Sequence, residues 1–592
     1  MIPVNQNIAS LSPSLPVLPL PVLPLLGLVF LALAGVARAE VAIEAAQAPD
    51  GLLDNLRARL GLAGEDCKAP GWRVQRLYKR ADQDFLPALR AFGYYTAKVA
   101  KRLETQGDCW QATFDIELGK RTHIRERRVT INGEAADDPN LQKLLGGLPL
   151  AQGAPLNHAE YEAIKDRLRQ FAAERGYLDF AFTRRELRVD PQQATADIHL
   201  EADSGPRYRF GELRFSEQPL DEDFVRRLAQ LRTGEPYDVM AVTALDRQLS
   251  DAGYFQRVEV RPQRDQAENR EVPIDIRLEP AAQHAWRAGI GYATDTGPRA
   301  SLRYDNRYVN PRGHRFESAL SLSPVLSSLS TDYVVPGENP QRDSYSFGAQ
   351  LRHEDNDSSI SDSGLLVARH TKKTGRWTQN RFIELLHESS TVGDEKTTAT
   401  LLMPGIGVSR TKADNLLRTR RGYRVDFEAR VAQKGLLSTA SVFRLTAGAK
   451  GIYRFGDAGR VTGRIDAGLS AGDSKDELPA SLRFFAGGDN SVRGYAYKSL
   501  GPVDDDGEPE GGRHLLATSI EYEHPVFGED WWAAAFVDAG NAFDSDRIDV
   551  RAGYGVGLRW YSPIGRLRLD VAIPDDKEDD EWRLHFGLGA DL

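Results

Sequence analysis

The chain has 592 residues, 41% hydrophobic and 27% charged, with a formal net charge of −9 and a mean hydropathy of −0.45. Such a length implies several domains, on a soft prior of roughly 100–200 residues each, and the hydropathy argues against a bundle of membrane helices. The acidic balance leaves no electrostatic footprint for nucleic acid, whereas a membrane β-barrel stays open because only alternate strand residues meet lipid.

Residues 1–39 carry one charge, Arg38, and run from a Pro/Leu-rich start into an apolar stretch, Leu25 to Ala34. Ala37-Arg38-Ala39 then has the small-x-small form of a signal-peptidase site, so cleavage before Glu40 is expected. An anchoring helix is the alternative, but Pro16, Pro19, Pro21 and Pro24 leave too short an uninterrupted run for the ~20 residues that a span needs. No Lys or Arg precedes the apolar stretch, a departure from the usual form of such peptides. The two cysteines, Cys67 and Cys109, fall in the first exported segment. An even count in an oxidising compartment favours a disulfide closing one small domain, with two buried free thiols as the alternative. No clustered histidine accompanies them, so neither reads as a metal ligand or nucleophile.

Three segments then echo one another: Leu89 to Val99 around Gly93-Tyr94, Phe171 to Ala181 around Gly176-Tyr177, and Leu249 to Glu259 around Gly253-Tyr254. Each closes a helical pattern with a Gly suited to a left-handed cap and passes into an alternating strand, with a second strand following. Ile164, Leu168 and Phe171 recur at helical spacing in the second copy and read as core. Units with this order of strand, two helices and two strands, and with a Gly-Tyr turn, resemble POTRA domains, here 41–121, 122–207 and 208–282. The resemblance implies modules that receive unfolded clients by adding a strand to an exposed sheet edge.

From residue 285 the helical spacing disappears. About sixteen segments of roughly ten residues alternate apolar and polar positions between turn clusters such as Asn310-Pro-Arg-Gly and Gly337-Glu-Asn-Pro, which predicts an antiparallel transmembrane β-barrel over 285–592. In the last segment Trp582, Leu584, Phe586 and Leu588 share one face with Leu592, while Arg583, His585, Gly587 and Gly589 share the other. A soluble sandwich is the alternative, but it would have to bury faces whose partners are mostly charged; closure in a membrane removes the edges instead.

Residues 471–512 form a Gly- and Asp-rich connection far longer than the usual ~4–6 residues, and its first half holds Phe484, Phe485, Val492, Tyr495 and Tyr497, which need somewhere to pack. Two strands on, period two places Phe536 and Asp538 on one face of Trp531 to Gly540, as it places Glu521 with Ser519 and Glu523 on the preceding strand. If the apolar faces meet lipid, these carboxylates point into the lumen, where an infolded loop could deliver Arg493. Val492-Arg493-Gly494-Tyr495 followed by Phe536-x-Asp538-x-Gly540 is similar to the lid-loop and strand signatures of the BamA/TamA superfamily of outer-membrane assembly proteins.

No nucleophile elbow, zinc helix or phosphate-cradling loop is present, so no enzyme, cofactor or metal is expected. The resemblance implies a barrel in the outer membrane, POTRA units in the periplasm, and insertion of unfolded outer-membrane proteins at a seam between first and last strands. Gly289 and Gly291 near one side, with Gly587, Gly589 and the terminal Leu592 on the other, are the expected weak points. Arg493, held by Asp538 and Glu521, would brace the wall opposite that seam. Three POTRA units resemble the TamA branch, which implies autotransporter-like clients and a TamB-like partner anchored in the inner membrane. A secretion channel passing polypeptide through the lumen is the main alternative, and a passive porin the weakest.

Overall fold

The computed structural model describes residues 39–592 apart from 107–108, 416–417, 457–458, 475–476, 506, 545–548, 563–564, 576–581 and 590–592. The expected export peptide, save Ala39, and Leu592 therefore lie outside the described residues.

The N-terminal half repeats one unit three times. The first comprises β1 (Glu40–Glu44), α1 (Leu52–Arg59), α2 (Gly71–Ala91), β2 (Lys98–Gln106) and β3 (Cys109–Glu117). The second comprises β4 (His123–Asn132), α3 (Pro139–Gly146), α4 (His158–Arg175), β5 (Ala181–Asp190) and β6 (Thr195–Asp203), and the third β7 (Arg209–Phe215), α5 (Glu222–Ala229), α6 (Val239–Asp251), β8 (Phe255–Pro262) and β9 (Glu271–Pro280). In each sheet the last strand lies in the middle, parallel to the first and antiparallel to the second. The repeated glycines do one job: Gly93, Gly176 and Gly253 take φ of 87°, 84° and 78° after the second helix of each unit, turning the chain so that Tyr94, Tyr177 and Tyr254 drop into the core. In the first unit α2 buries Val74, Ala81, Phe85, Ala88 and Leu89 against Phe114 and Ile116 of β3. A disulfide joins Cys67, ahead of α2, to Cys109 at the head of β3.

Sixteen antiparallel strands follow: β10 (His284–Ala293), β11 (Gly297–Asn306), β12 (Arg315–Leu322), β13 (Leu326–Pro336), β14 (Asp343–Asn356), β15 (Ser359–Thr374), β16 (Trp377–Val392), β17 (Glu395–Ala413), β18 (Arg421–Ala432), β19 (Val442–Arg454), β20 (Arg460–Gly472), β21 (His514–Phe527), β22 (Trp531–Phe543), β23 (Arg551–Ser562), β24 (Gly565–Pro574) and β25 (Arg583–Gly589). Each pairs with its neighbours in chain order, the up-and-down arrangement that period-two patterning predicts. Ile520, Val537, Val556 and Leu584 stand exposed on the outer face, while Glu521, Asp538, Arg559 and His585 are buried inside. The longest strands run well past the expected ten residues, β15 and β16 at 16 and β17 at 19. Their excess lies at the end remote from the third unit, where Leu386, Leu401 and Met403 pack on Leu478 and Leu482 of the long connection.

The third unit is seated on the near end of the barrel. Phe224 of α5 lies against Gly313, in the turn between β11 and β12, where any Cβ would collide with its ring. The Tyr254 hydroxyl donates to the Gly313 carbonyl at 2.7 Å, and the Asp221 amide to that of Pro311 at 2.8 Å. Arg227 Nη1 reaches the Gly337 carbonyl, between β13 and β14, at 2.9 Å.

Candidate functional site in the barrel lumen

Residues 473–513 connect β20 to β21 at the remote end, and instead of projecting outward the described residues among them turn down inside the barrel. The inner faces of several strands hold them. Glu388 of β16 accepts from the Ser481 amide at 3.0 Å, Glu354 of β14 pairs with Lys498 at 2.5 Å, and the Arg444 guanidinium of β19 stacks 4.2 Å from the Phe484 ring centre. Phe484 and Gly512 bridge the two arms of the loop, so its descending and returning legs support one another.

At its deepest point the loop presents Val492-Arg493-Gly494-Tyr495. Arg493 is only 4% exposed. Its Nε and Nη2 form a fork on the two oxygens of Asp538, at 2.7 and 2.9 Å, and its own amide donates to Asp538 Oδ2 at 3.1 Å. Nη1 reaches Glu521 at 2.8 Å and Asp570 at 2.9 Å, and the guanidinium carbon sits 3.4 Å from the Phe536 ring centre. Planar, multidentate and face-on to a ring, this is a role for arginine and not lysine. Burial pulls the guanidinium pKa down, but the hydrogen bonds and charge of Asp538, joined by Glu521 and Asp570, hold it net above its ordinary value. The backbone is pressed equally close: Gly494 has φ +100°, and a Cβ there would come within 3.0 Å of the Pro574 nitrogen. A Cβ at Gly553 would strike the Arg493 carbonyl. The Tyr495 hydroxyl caps the motif on Asp575 at 2.6 Å.

The carboxylates are themselves shared. Arg559 of β23 reaches Glu521 at 2.7 Å and also pairs with Asp570, while Arg566 of β24 bridges Glu521 and Glu523. Arg460 forms a fork on Glu523 at 2.8 and 3.0 Å. Arg460, Arg493, Arg559 and Arg566 thus balance Glu521, Glu523, Asp538 and Asp570. A balanced, multiply bonded set is what makes burying eight charges tolerable. Sequence reasoning placed Glu521, Phe536 and Asp538 around Arg493, and the structure brings all three together with Gly540 one register step along β22, where a Cβ would strike Leu516 and Ala517 of β21. It missed Asp570, Arg559 and Arg566, whose signal is the same alternation: Arg566, Arg568 and Asp570 share one face of β24, and Gly555, Gly557 and Arg559 one face of β23.

The position of Arg493 differs from expectation. Its partners lie on β21, β22 and β24, beside the last strand and not across the barrel from it. The loop begins at β20, so the strands nearest along the chain are also those that line its path.

β10 and β25 are the two ends of the sheet, and no ladder joins them among the described residues. They meet through a Phe586 amide donating to Thr294 Oγ1 at 3.1 Å and through the rings of Tyr292 and Phe586, 6.5 Å apart. Outside this join Ile290, Tyr292, Pro298, Leu322, Phe586 and Leu588 line an apolar cavity of about 900 Å³, and Ile290 is 95% exposed. Gly289 and Gly291 lie on β10 and Gly587 on β25, the two strands that end the sheet, and Gly291 lines that cavity with Phe586 and Leu588. A Cβ at Gly289 would meet Ser301, one at Gly291 would meet Arg299, and one at Gly587 would meet Arg568. Each makes room for its ladder partner on the adjacent strand, as Gly589 pairs with Arg566.

Above Arg493 the loop turn Gly487-Gly488-Asp489 lies between the two edges. Asp489 accepts from Thr294 Oγ1 at 2.9 Å and from His585 Nδ1 at 2.6 Å, while its amide donates to Asp295 Oδ2 at 2.8 Å. The Gly494 amide donates to His585 Nε2 at 3.0 Å. An amide hydrogen there requires a lone pair on Nε2, which fixes the neutral tautomer with its proton on Nδ1, toward Asp489. Asp295, Asp489 and His585 bring ligand-type atoms within 4.8 Å of one another, but this tautomer offers a cation no imidazole lone pair. Burial and then the Asp489 charge push the Asp295 carboxyl up to about 6. Asp489 is raised by burial but carried below its ordinary value by its bonds from His585 and Thr294.

Comparison with known proteins bears on the two parts of the chain in turn. The Omp85 superfamily domain matches residues 283–592, the POTRA domain TamA domain 1 matches 40–118, and the surface antigen variable number repeat matches 124–205 and 208–281. The outer membrane protein assembly factor BamA of Neisseria meningitidis serogroup B is 23% identical over 574 residues, covering 84% of this chain and 71% of that protein. BamA of Nitratidesulfovibrio vulgaris is 30% identical over 139 residues, 22% of this chain and 17% of that one. A crystal structure of BamA from Haemophilus ducreyi lacking POTRA domains 1–3 shares the fold, with a TM-score of 0.66 at 17% identity, over 78% of this chain and 99% of that one.

Proposed function

Because the chain belongs to the Omp85 superfamily, its barrel standing in the outer membrane with the POTRA units in the periplasm, we propose that it is an assembly factor. In this reading it inserts unfolded β-barrel clients through the join between β10 and β25. The observation that carries the reading is that this join, unlike the other strand boundaries of the described barrel, has no ladder. The free edge of β10 offers unpaired backbone groups beside lipid, where leaving them unpaired costs several kcal/mol each, so adding a client strand is favoured. Support also comes from the similarity to a protein named as an outer-membrane assembly factor. Autotransporter-like clients and a TamB-like periplasmic partner belong to the same proposal, supported by the match of the first unit, as does the absence of any enzymatic activity.

The second reading is a two-partner-type channel that passes polypeptide through the lumen. A loop bonded on both legs and plugged by eight buried charges speaks against it. The experiment uses the full chain in liposomes with a urea-unfolded barrel client. Cysteines replacing Tyr292 and Phe586, bridged by a short bis-maleimide, are expected to reduce client folding at least tenfold, and cleaving a reducible version to restore it. Unchanged folding by the bridged protein, with sizeable conductance once residues 473–513 are excised, would support the channel instead.

A further inference from the structure

We propose that Asp489 is the clasp of the join: the lid loop, and not strand pairing, holds β10 to β25, so the seam opens only when the Gly487-Gly488-Asp489 turn withdraws. Two independent sets of contacts meet on this one residue. On the first-strand side, Thr294 donates to its carboxylate and Asp295 accepts its amide. On the last-strand side, His585 donates to the same carboxylate. Among the described residues the edges meet through an amide bond to Thr294 and a ring pair, and Thr294 itself leans on Asp489. The clasp is built for its place. Gly487 and Gly488 take φ of +96° and +99°, and a Cβ at Gly488 would come within 2.9 Å of Asp295, so only glycine lets the turn approach the first hairpin.

The same loop ties the clasp to the charged site below. His585 accepts the Gly494 amide through Nε2 while donating to Asp489 through Nδ1, so one imidazole reads both the clasp and the residue next to Arg493. Pulling Arg493 from Asp538 removes the acceptor's partner on Nε2 and frees the ring to turn away from Asp489. Arg568 stands on the opposite side of the turn, its Nη2 on the Asn490 side chain at 2.8 Å. The lid is therefore a lock on the join as well as a plug in the lumen. This inference deepens the insertion reading and rests on it for its biological use, but its test needs no client.

The test is a distance measurement in the full chain in bilayers. With Cys67 and Cys109 bonded to each other, spin labels placed through Ile290→Cys and Leu588→Cys report the join. A second pair, Leu366→Cys and Ile383→Cys, reports an intact ladder between β15 and β16. Asp489→Ala is expected to raise the long-distance population across the join at least threefold and to leave the second pair unchanged. Asp489→Asn, which keeps the acceptor oxygen, is expected to fall between it and the unsubstituted protein. Should Asp489→Ala fail to fold, His585→Leu removes the last-strand arm while leaving the Phe586–Thr294 bond in place, and is expected to give the same opening. Unaltered join distances in the folded variant, or a broadening of both pairs together, would overturn the proposal. A client that fails to insert while the distances respond as stated would count against the insertion reading alone.

Discussion

Arg493 makes contacts with three carboxylates and a ring at once, and its removal leaves Asp538 buried with its main partner gone. Breaking a buried pair from one side costs roughly 3–5 kcal/mol, so Arg493→Ala is expected to lower the urea midpoint of heat-modifiable mobility sharply. Arg493→Lys should recover little, because a point charge replaces the fork on Asp538 and the stacking on Phe536. Asp295 makes a prediction about pH. Burial and then the Asp489 charge push its carboxyl up to about 6 in the closed join, so the closed join binds a proton more tightly than one from which Asp489 has withdrawn. Closure is then favoured below the ordinary aspartate value and weakens as pH rises through about 6. The label pair across the join should show more opening at pH 7.5 than at 6, and Asp295→Asn should abolish the difference. The titratable groups facing it are Asp489, His585 and Tyr497. At this scale Arg493, Asp538 and Glu521 were legible because a motif and a period of two coincide. Asp489 with His585, and Asp295 with Asp489, were not: no local pattern brings together residues separated by 96 and 194 positions.

Among elements, the lid loop has the narrowest tolerance at Gly494. With φ +100° and Pro574 against it, Gly494→Ala strains the backbone and pushes the motif off β24 together. Limited proteolysis of 473–513 in intact cells is expected to accelerate several-fold, with the barrel still folded. The strand count was legible from alternation, and the lengths of β15, β16 and β17 were not. Their outer turns are held by the loop, through Glu388 on Ser481 and Leu401 near Leu478, a contact made across nearly a hundred residues. The Cys67–Cys109 bridge spans 42 positions, a loop whose closure stabilises by about 4 kcal/mol on chain-entropy grounds. Reduction should expose the first unit to protease while leaving the barrel and its lid unaffected.

Across the whole molecule, the third unit and the barrel share contacts that the linear pattern of repeats could not disclose, because Gly313 and Gly337 look like ordinary turn residues until Phe224 and Arg227 arrive. Phe224→Ala empties the seat on Gly313 and removes the edge-on contact with Tyr254, 5.3 Å between ring centres. Labels on α5 and on the turn between β11 and β12 should then show a broadened distance distribution, with the heat-modifiable band unchanged. The turns that carry this seat connect β11 to β12 and β13 to β14, all on the flank that begins with β10. Nothing comparable ties the third unit to β24 or β25 among the described residues. A twist of the third unit is therefore delivered to one lip of the slit and not to the other, shearing the two lips past each other as a hand turns one page of a book held by its far cover.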